Sequence, residues 1–130
     1  MRVVEIRSAL KQINNYINYI LYWEAVMSQV RIKYVRDMKK NPVGCIAYMV
    51  KDNQISIGVA SCNPVDTFKK EISRSLAIGR LVDAPQNGSA PVERSVRALT
   101  KAVLEMATHS EHASSRVVKM ANREANSTNS

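Results

Sequence analysis

Residues 61–81, SCNPVDTFKKEISRSLAIGRL, gather side chains suited to a phosphorylated sugar. Arginine forks hold phosphate, asparagine and aspartate hold ribose hydroxyls, and an aromatic ring stacks on a base. Arg80, Asn63, Asp66 and Phe68 supply those types within one short stretch. The same residues also read as the grammar of a helix. Asn63 is a good N-cap, Pro64 suits the first helical position, and Asp66 is the acid of a capping box. Arg80 then complements the helix dipole at the far end. Phe68 joins Val65, Ile72 and Leu76 in a packing stripe, while Lys69, Ser73 and Arg80 mark another face that Ala77 keeps low. Gly79 either permits a close approach or begins the helix end. Residue types alone leave the pocket and the capped helix both open.

Other chemistry has little material. His109 and His112 are three apart, with Glu105 and Glu111 nearby, a set that reads as a solvated helix face, since metal sites take three or four ligands. Cys45 and Cys62 form no CxxC and have no sequence context that marks a nucleophile. Neither a P-loop nor a GxGxxG occurs. An enzyme, a cofactor and a metal are therefore not expected. Basic residues are more plentiful: RIKYVRDMKK surrounds Tyr34 with five cations, and Arg94, Arg97 and Lys101 form a second group. These could meet phosphates, but no helix-turn-helix, zinc finger or RNA-stacking signature accompanies them. Any affinity for nucleic acid is expected to be weak and non-specific.

The elements that position these residues read as α+β. Ile6, Leu10, Ile13, Ile17 and Ile20 are spaced 4, 3, 4 and 3, and Met27, Tyr34 and Met38 extend the stripe. This predicts one long helix over 2–40, closed by Asn41-Pro42. At about 1.5 Å per residue it would reach nearly 60 Å, too long for a small domain unless it packs on a partner chain. Glu24 and Arg31 interrupt the seam one heptad apart, either at a kink or facing a ligand. Residues 43–61 predict an antiparallel hairpin turning at Asp52-Asn53. That register puts Ile46, Tyr48, Val50, Ile55, Ile57 and Val59 on one face. Cys45, Ala47, Gly58 and Ala60 fall on the other, so small that a backbone or a ligand can come close. Helices over 63–81 and 91–121 follow, separated by the loop VDAPQNGSAP, and residues 125–130 form a tail. The expected unit is a single domain over 1–124.

The totals are consistent with this. The chain has 130 residues, 45% hydrophobic and 23% charged, with 19 Lys and Arg against 11 Asp and Glu, for a net charge of +8. Such a composition is globular, and its charge favours either an anionic partner or simply a soluble basic surface. No window resembles a membrane span or a secretory leader, so a reducing cytosol is the expected compartment.

A strand ending in GVASCNPVDTF and followed by RSLAIGR resembles the phage Thoeris anti-defence family, over residues 57–81. The resemblance implies a protein that binds cyclic ADP-ribose signals, made by host TIR-domain enzymes, and sequesters them without turnover. It also implies a symmetric homo-oligomer, a hexamer, with pockets between protomers, in the cytoplasm of an infected bacterial host. Carried onto this chain, the motif residues are Asn63, Asp66 and Arg80, with Arg31 as the arginine preceding the hairpin and Tyr48 as the aromatic at the base. Arg31 and Arg80 would clamp the pyrophosphate, and Asn63 and Asp66 would bind ribose hydroxyls. Some members hold cyclic oligonucleotides at a second site, which the sequence does not place. The alternatives are a basic phage protein that binds nucleic acid or modulates transcription, and a protein that blocks a host defence factor through its helices.

Overall fold

Asp52 and Asn53 adopt left-handed backbone, φ 52° and 63°, the conformation a two-residue hairpin turn requires. The turn sets the register Val50–Ile55, Tyr48–Ile57 and Ile46–Val59 on one face, with Ala47–Gly58 and Cys45–Ala60 on the other. The computed structural model describes residues 3–62 and 69–127. In order they form α1 (Val3–Gln29), β1 (Arg31–Arg36), β2 (Pro42–Lys51), β3 (Gln54–Ser61), α2 (Lys70–Asp83), β4 (Gln86–Ser89), α3 (Val96–Ala107) and α4 (Ser115–Ser127). The strands make one antiparallel sheet in the order β1-β2-β3-β4.

The two faces of the hairpin acquire different covers. Ile46, Ile55, Ile57 and Val59 join Val35 and Val43 in a core closed by Val103, Leu104 and Ala107 of α3 and by Val117, Met120 and Ala121 of α4. The small face takes the backbone of α2. A Cβ on Gly58 would sit 2.1 Å from Ala77 O and 2.3 Å from Leu81 N. The buried positions of α2 are Ser73, Ala77 and Leu81, one per turn, so the helix approaches through small side chains. Ile72 and Leu76, expected to pack, are 55% and 47% exposed. Gly79 has open space around it, so the close approach is at Gly58.

The long helix over 2–40 is corrected. α1 ends at Gln29, and RIKYVR is a strand paired with β2. Residues 30–36 hold Val30, Ile32, Tyr34 and Val35, types that favour strands, and the bonds offered by β2 outweigh continuation of the heptad. Arg31 is consequently no fault in a helical seam; it starts β1. The expected helix over 91–121 is two helices. Ser95 Oγ accepts from Ala98 N to cap α3, and Ser114 Oγ accepts from Val117 N to open α4. Such local hydroxyl bonds compete with helix continuation. Ser61 Oγ donates to His112 O and accepts from Ser114 N, tying the α3–α4 loop to the end of β3. The loop after α2 contains β4, which pairs Gln86–Ser89 with Gln54–Ile57.

The chain divides into two compact units, residues 1–30 and 31–130. In the first unit the seam residues Ile6, Leu10, Ile13, Ile17, Ile20 and Met27 remain 38–54% exposed. No helix among the described residues is long and apolar enough to cross a membrane.

The β1–β2 turn is held by one carboxylate. Asp37 Oδ1 accepts from Lys39 N and Asn41 N, and Oδ2 accepts from Arg116 on α4. The amide of Asn41 is the largest cause holding the Asp37 carboxyl below its ordinary value of 3.8. A carboxyl with a depressed folded pKa contributes stability that is complete above pH about 4 and is lost as pH falls through the folded value. Carboxyl NMR titration is expected to give an Asp37 midpoint below 3.8. Arg116→Ala should move it only part of the way back, because the backbone bonds remain. A full return to 3.8 would make the arginine the dominant cause.

Candidate ligand-binding site

β4 pairs with β3 only as far as Ile57, so the carbonyl of Val59 lies beyond the ladder. Arg80 meets it: Nη1 donates to Val59 O at 2.7 Å, in a half-buried position. The guanidinium is thereby oriented, and this is its one described hydrogen bond. It lines a cavity of about 240 Å³ together with Ile57, Gly58, Val59, Pro85, Gln86, Ser110 and His112.

The walls come from three elements. α2 carries Arg80 in its last turn. β4 brings Gln86, whose amide donates to Met106 O at 2.9 Å and is fixed by it. The α3–α4 loop brings Ser110 and His112, held against β3 by Ser61. His112 Nε2 lies 3.4 Å from the Glu111 carboxylate. The cavity thus presents a cation, a carboxylate (Glu111), an amide, a hydroxyl and an imidazole over an apolar floor. That mixture suits a polar ligand whose anionic group meets Arg80 and whose hydroxyls or amides meet the remaining polar groups.

The expected residues do not all meet here. Arg31, Tyr48, Ile57 and Gln86 lie in one row across the sheet. With strands about 4.8 Å apart, Arg31 is about 14 Å from Gln86. Arg31 and Tyr48 are adjacent on β1 and β2, and Tyr48 packs against the core. Arg80 belongs to the opposite side of the sheet, so both arginines reach one small ligand only if a second copy contributes. Asn63 and Asp66 lie outside the described residues, as does Phe68. The N-cap of α2 is Lys69, with no side-chain cap bond. Residue type could not have picked out Gln86, Ser110 and His112: their meeting depends on β4 and on the Ser61 tether.

Among the described residues no group of three His, Cys, Asp or Glu is placed to hold a metal. Cys45 is buried, and burial pushes its thiol up to about 11 against a smaller opposing effect of Arg74; a thiol so protonated is a poor nucleophile. Comparison of the chain with protein-family models, with curated proteins and with solved structures finds no match.

Proposed function

We propose that this chain is a phage anti-defence protein that binds a cyclic nucleotide-derived immune messenger, a cyclic ADP-ribose isomer, and sequesters it unchanged in the cytoplasm of the infected bacterium. The observation that carries this reading is the Arg80 guanidinium, anchored on one arm and lining a polar cavity at the end of the motif that resembles the Thoeris anti-defence family. Arg80 takes the pyrophosphate. Arg31 and Tyr48 complete the pocket from a second copy, and Asn63 and Asp66 are assigned the ribose hydroxyls. Self-association, as a hexamer in the resembling family, is the arrangement that reconciles arginines on opposite sides of one sheet. Sequestration needs no turnover: sites must outnumber the messenger and bind it more tightly than the host effector does.

A thermal-shift screen against cyclic ADP-ribose isomers, cyclic oligonucleotides and short duplex DNA tests this. A tight ligand at 100-fold its Kd adds about 2.7 kcal/mol of stability. A shift with one isomer and none with DNA supports the reading, and heat-released ligand should return chemically intact. A sequence-selective DNA complex surviving physiological salt would instead favour the nucleic-acid-binding alternative, for which the cations around Tyr34 speak.

Arg80→Ala is expected to lose messenger binding and also to destabilise the fold. The bond to Val59 O is charge-assisted, and removing such a bond costs about 1.5–3 kcal/mol. His112→Ala separates the two effects, since the exposed imidazole makes no described hydrogen bond to the body of the fold. Isothermal titration should show weakened binding at unchanged Tm. Undiminished messenger affinity in both variants would remove the cavity from the proposal.

A further inference from the structure

The cations of RIKYVRDMKK line a different cavity from the one that holds Arg80. A cleft of about 380 Å³ lies between β1, the β1–β2 turn and α4, walled by Lys33, Tyr34, Arg36, Lys40, Met120 and Arg123 with Asp37, Glu124 and Ser127. It shares no residue with the first cavity.

Charge decides what this cleft can hold. Both of its acids are already engaged. Glu124 pairs with Lys33. Asp37 accepts from two turn amides and from Arg116. The side chains of Lys40 and Arg123 have no anionic partner among the described residues. Arg36 donates from Nη1 only to the carbonyl of Lys40, at 3.0 Å, and its Cζ lies 5.9 Å from the centre of the Tyr34 ring. Lys70 Nζ lies 4.9 Å from the same ring, so the aromatic face steadies two cations at the rim. Lys40 itself is held at φ 67° in a turn braced by Asp37. The positive groups are therefore carried on fixed backbone before any ligand arrives, which reduces the ordering cost of binding.

We propose that this cleft is a second anion site, which takes the phosphate of a nucleotide through Arg36, Lys40 and Arg123. Three cations line this one cleft, more than a single carboxylate needs, and two of them are planar arginine forks matched to phosphate oxygens. A mononucleotide monoester and a diester within a single strand share this chemistry. The site does not depend on the messenger pocket.

Anisotropy of a labelled oligothymidylate of about eight nucleotides, titrated with the full chain at several salt concentrations, tests it. Competition by adenosine monophosphate, by inorganic phosphate and by polyglutamate separates the sources. In Lys40→Glu/Arg123→Glu the affinity should fall roughly tenfold or more, and the slope of log K against log salt should shrink by about 1.4, two contacts at 0.7 each. Tm should hold, since neither side chain has an anionic partner among the described residues. Lys51→Glu/Arg94→Glu changes net charge equally at exposed positions away from the cleft, and should retain most of the affinity. Competition by the monophosphate assigns the site to monoesters, and competition by the strand alone assigns it to diesters. Equal losses in the two double variants, an unchanged salt slope, or displacement by polyglutamate but by neither phosphate ligand would overturn the site.

Discussion

Ile13→Asp/Ile17→Asp is expected to convert the protein from an oligomer to a monomer near 14.5 kDa while the fold of residues 31–130 survives. Within its own unit α1 covers none of its seam. Ile13 and Ile17 are 53% and 47% exposed, and Tyr19, Ile20, Trp23 and Met27 continue an open, largely apolar surface further along the helix. Isolated helices are marginal in water and gain most of their stability from packing an apolar face. A helix with this pattern calls for an apolar partner, and on the proposed self-association that partner is the same stripe of a second copy. A seam of mostly isoleucine, with Leu10 and Met27, favours three or four strands over two, and threefold bundles divide evenly into the six copies that the resemblance implies. An aspartate in a dry seam costs several kcal/mol per ion, and the double variant repeats that cost in every copy. Light scattering behind a sizing column reads the result. A wild-type chain that is already monomeric at micromolar concentration removes the assembly and the shared pocket together. Messenger binding by the monomeric variant, with wild-type affinity, removes only the shared pocket.

Legibility followed the range of the interaction. The hairpin register could be read because a two-residue turn and a period of two determine it locally: Asp52-Asn53 places Tyr48 opposite Ile57 with no reference to the rest of the chain. The stripe of α1 was legible from Ile6 to Met27 for the same reason. Its continuation through Tyr34 and Met38 was a coincidence of spacing, since Tyr34 pairs with Cys45 across β1 and β2. Strand β4 was hidden because Gln86–Ser89 are polar and join the sheet through main-chain bonds to β3. The face of α2 was misread because its largest residues, Ile72 and Leu76, point away from the sheet, and Ser73 and Ala77 point toward it. A helix that docks on a glycine selects small side chains, so a hydrophobic stripe gives the wrong side. Arg80 stands out in the sequence through its residue type and motif. Its bond to Val59 O does not, because it depends on β4 ending early.

Gly58→Ala is expected to be among the most destabilising single substitutions in the chain, for a reason unrelated to glycine's backbone freedom. Gly58 has an ordinary φ, so alanine suits the local strand. The obstruction is α2: the new Cβ would meet Ala77 O at 2.1 Å, Leu81 N at 2.3 Å and the carbonyl carbon of Arg80 at 2.9 Å. All three are main-chain atoms of a helix, and no rotamer change clears them. Overpacking ordinarily costs about 1–3 kcal/mol through side-chain adjustment; here α2 must lift from the sheet, so a loss of about 3 kcal/mol or more is expected. Because Arg80 sits in that turn, lifting α2 also withdraws its guanidinium from Val59 O and from the cavity. Denaturant unfolding should show a lower midpoint, and messenger affinity should fall even where the protein remains folded. Gly79→Ala is the matched control: a Cβ there meets nothing within 4 Å, and alanine in a helix interior is favoured over glycine by roughly 1 kcal/mol. That variant should be as stable as the wild type or more so, with binding intact. If Gly58→Ala and Gly79→Ala unfold at the same midpoint, α2 does not rest on β3 as described, and the cavity that Arg80 lines loses its wall.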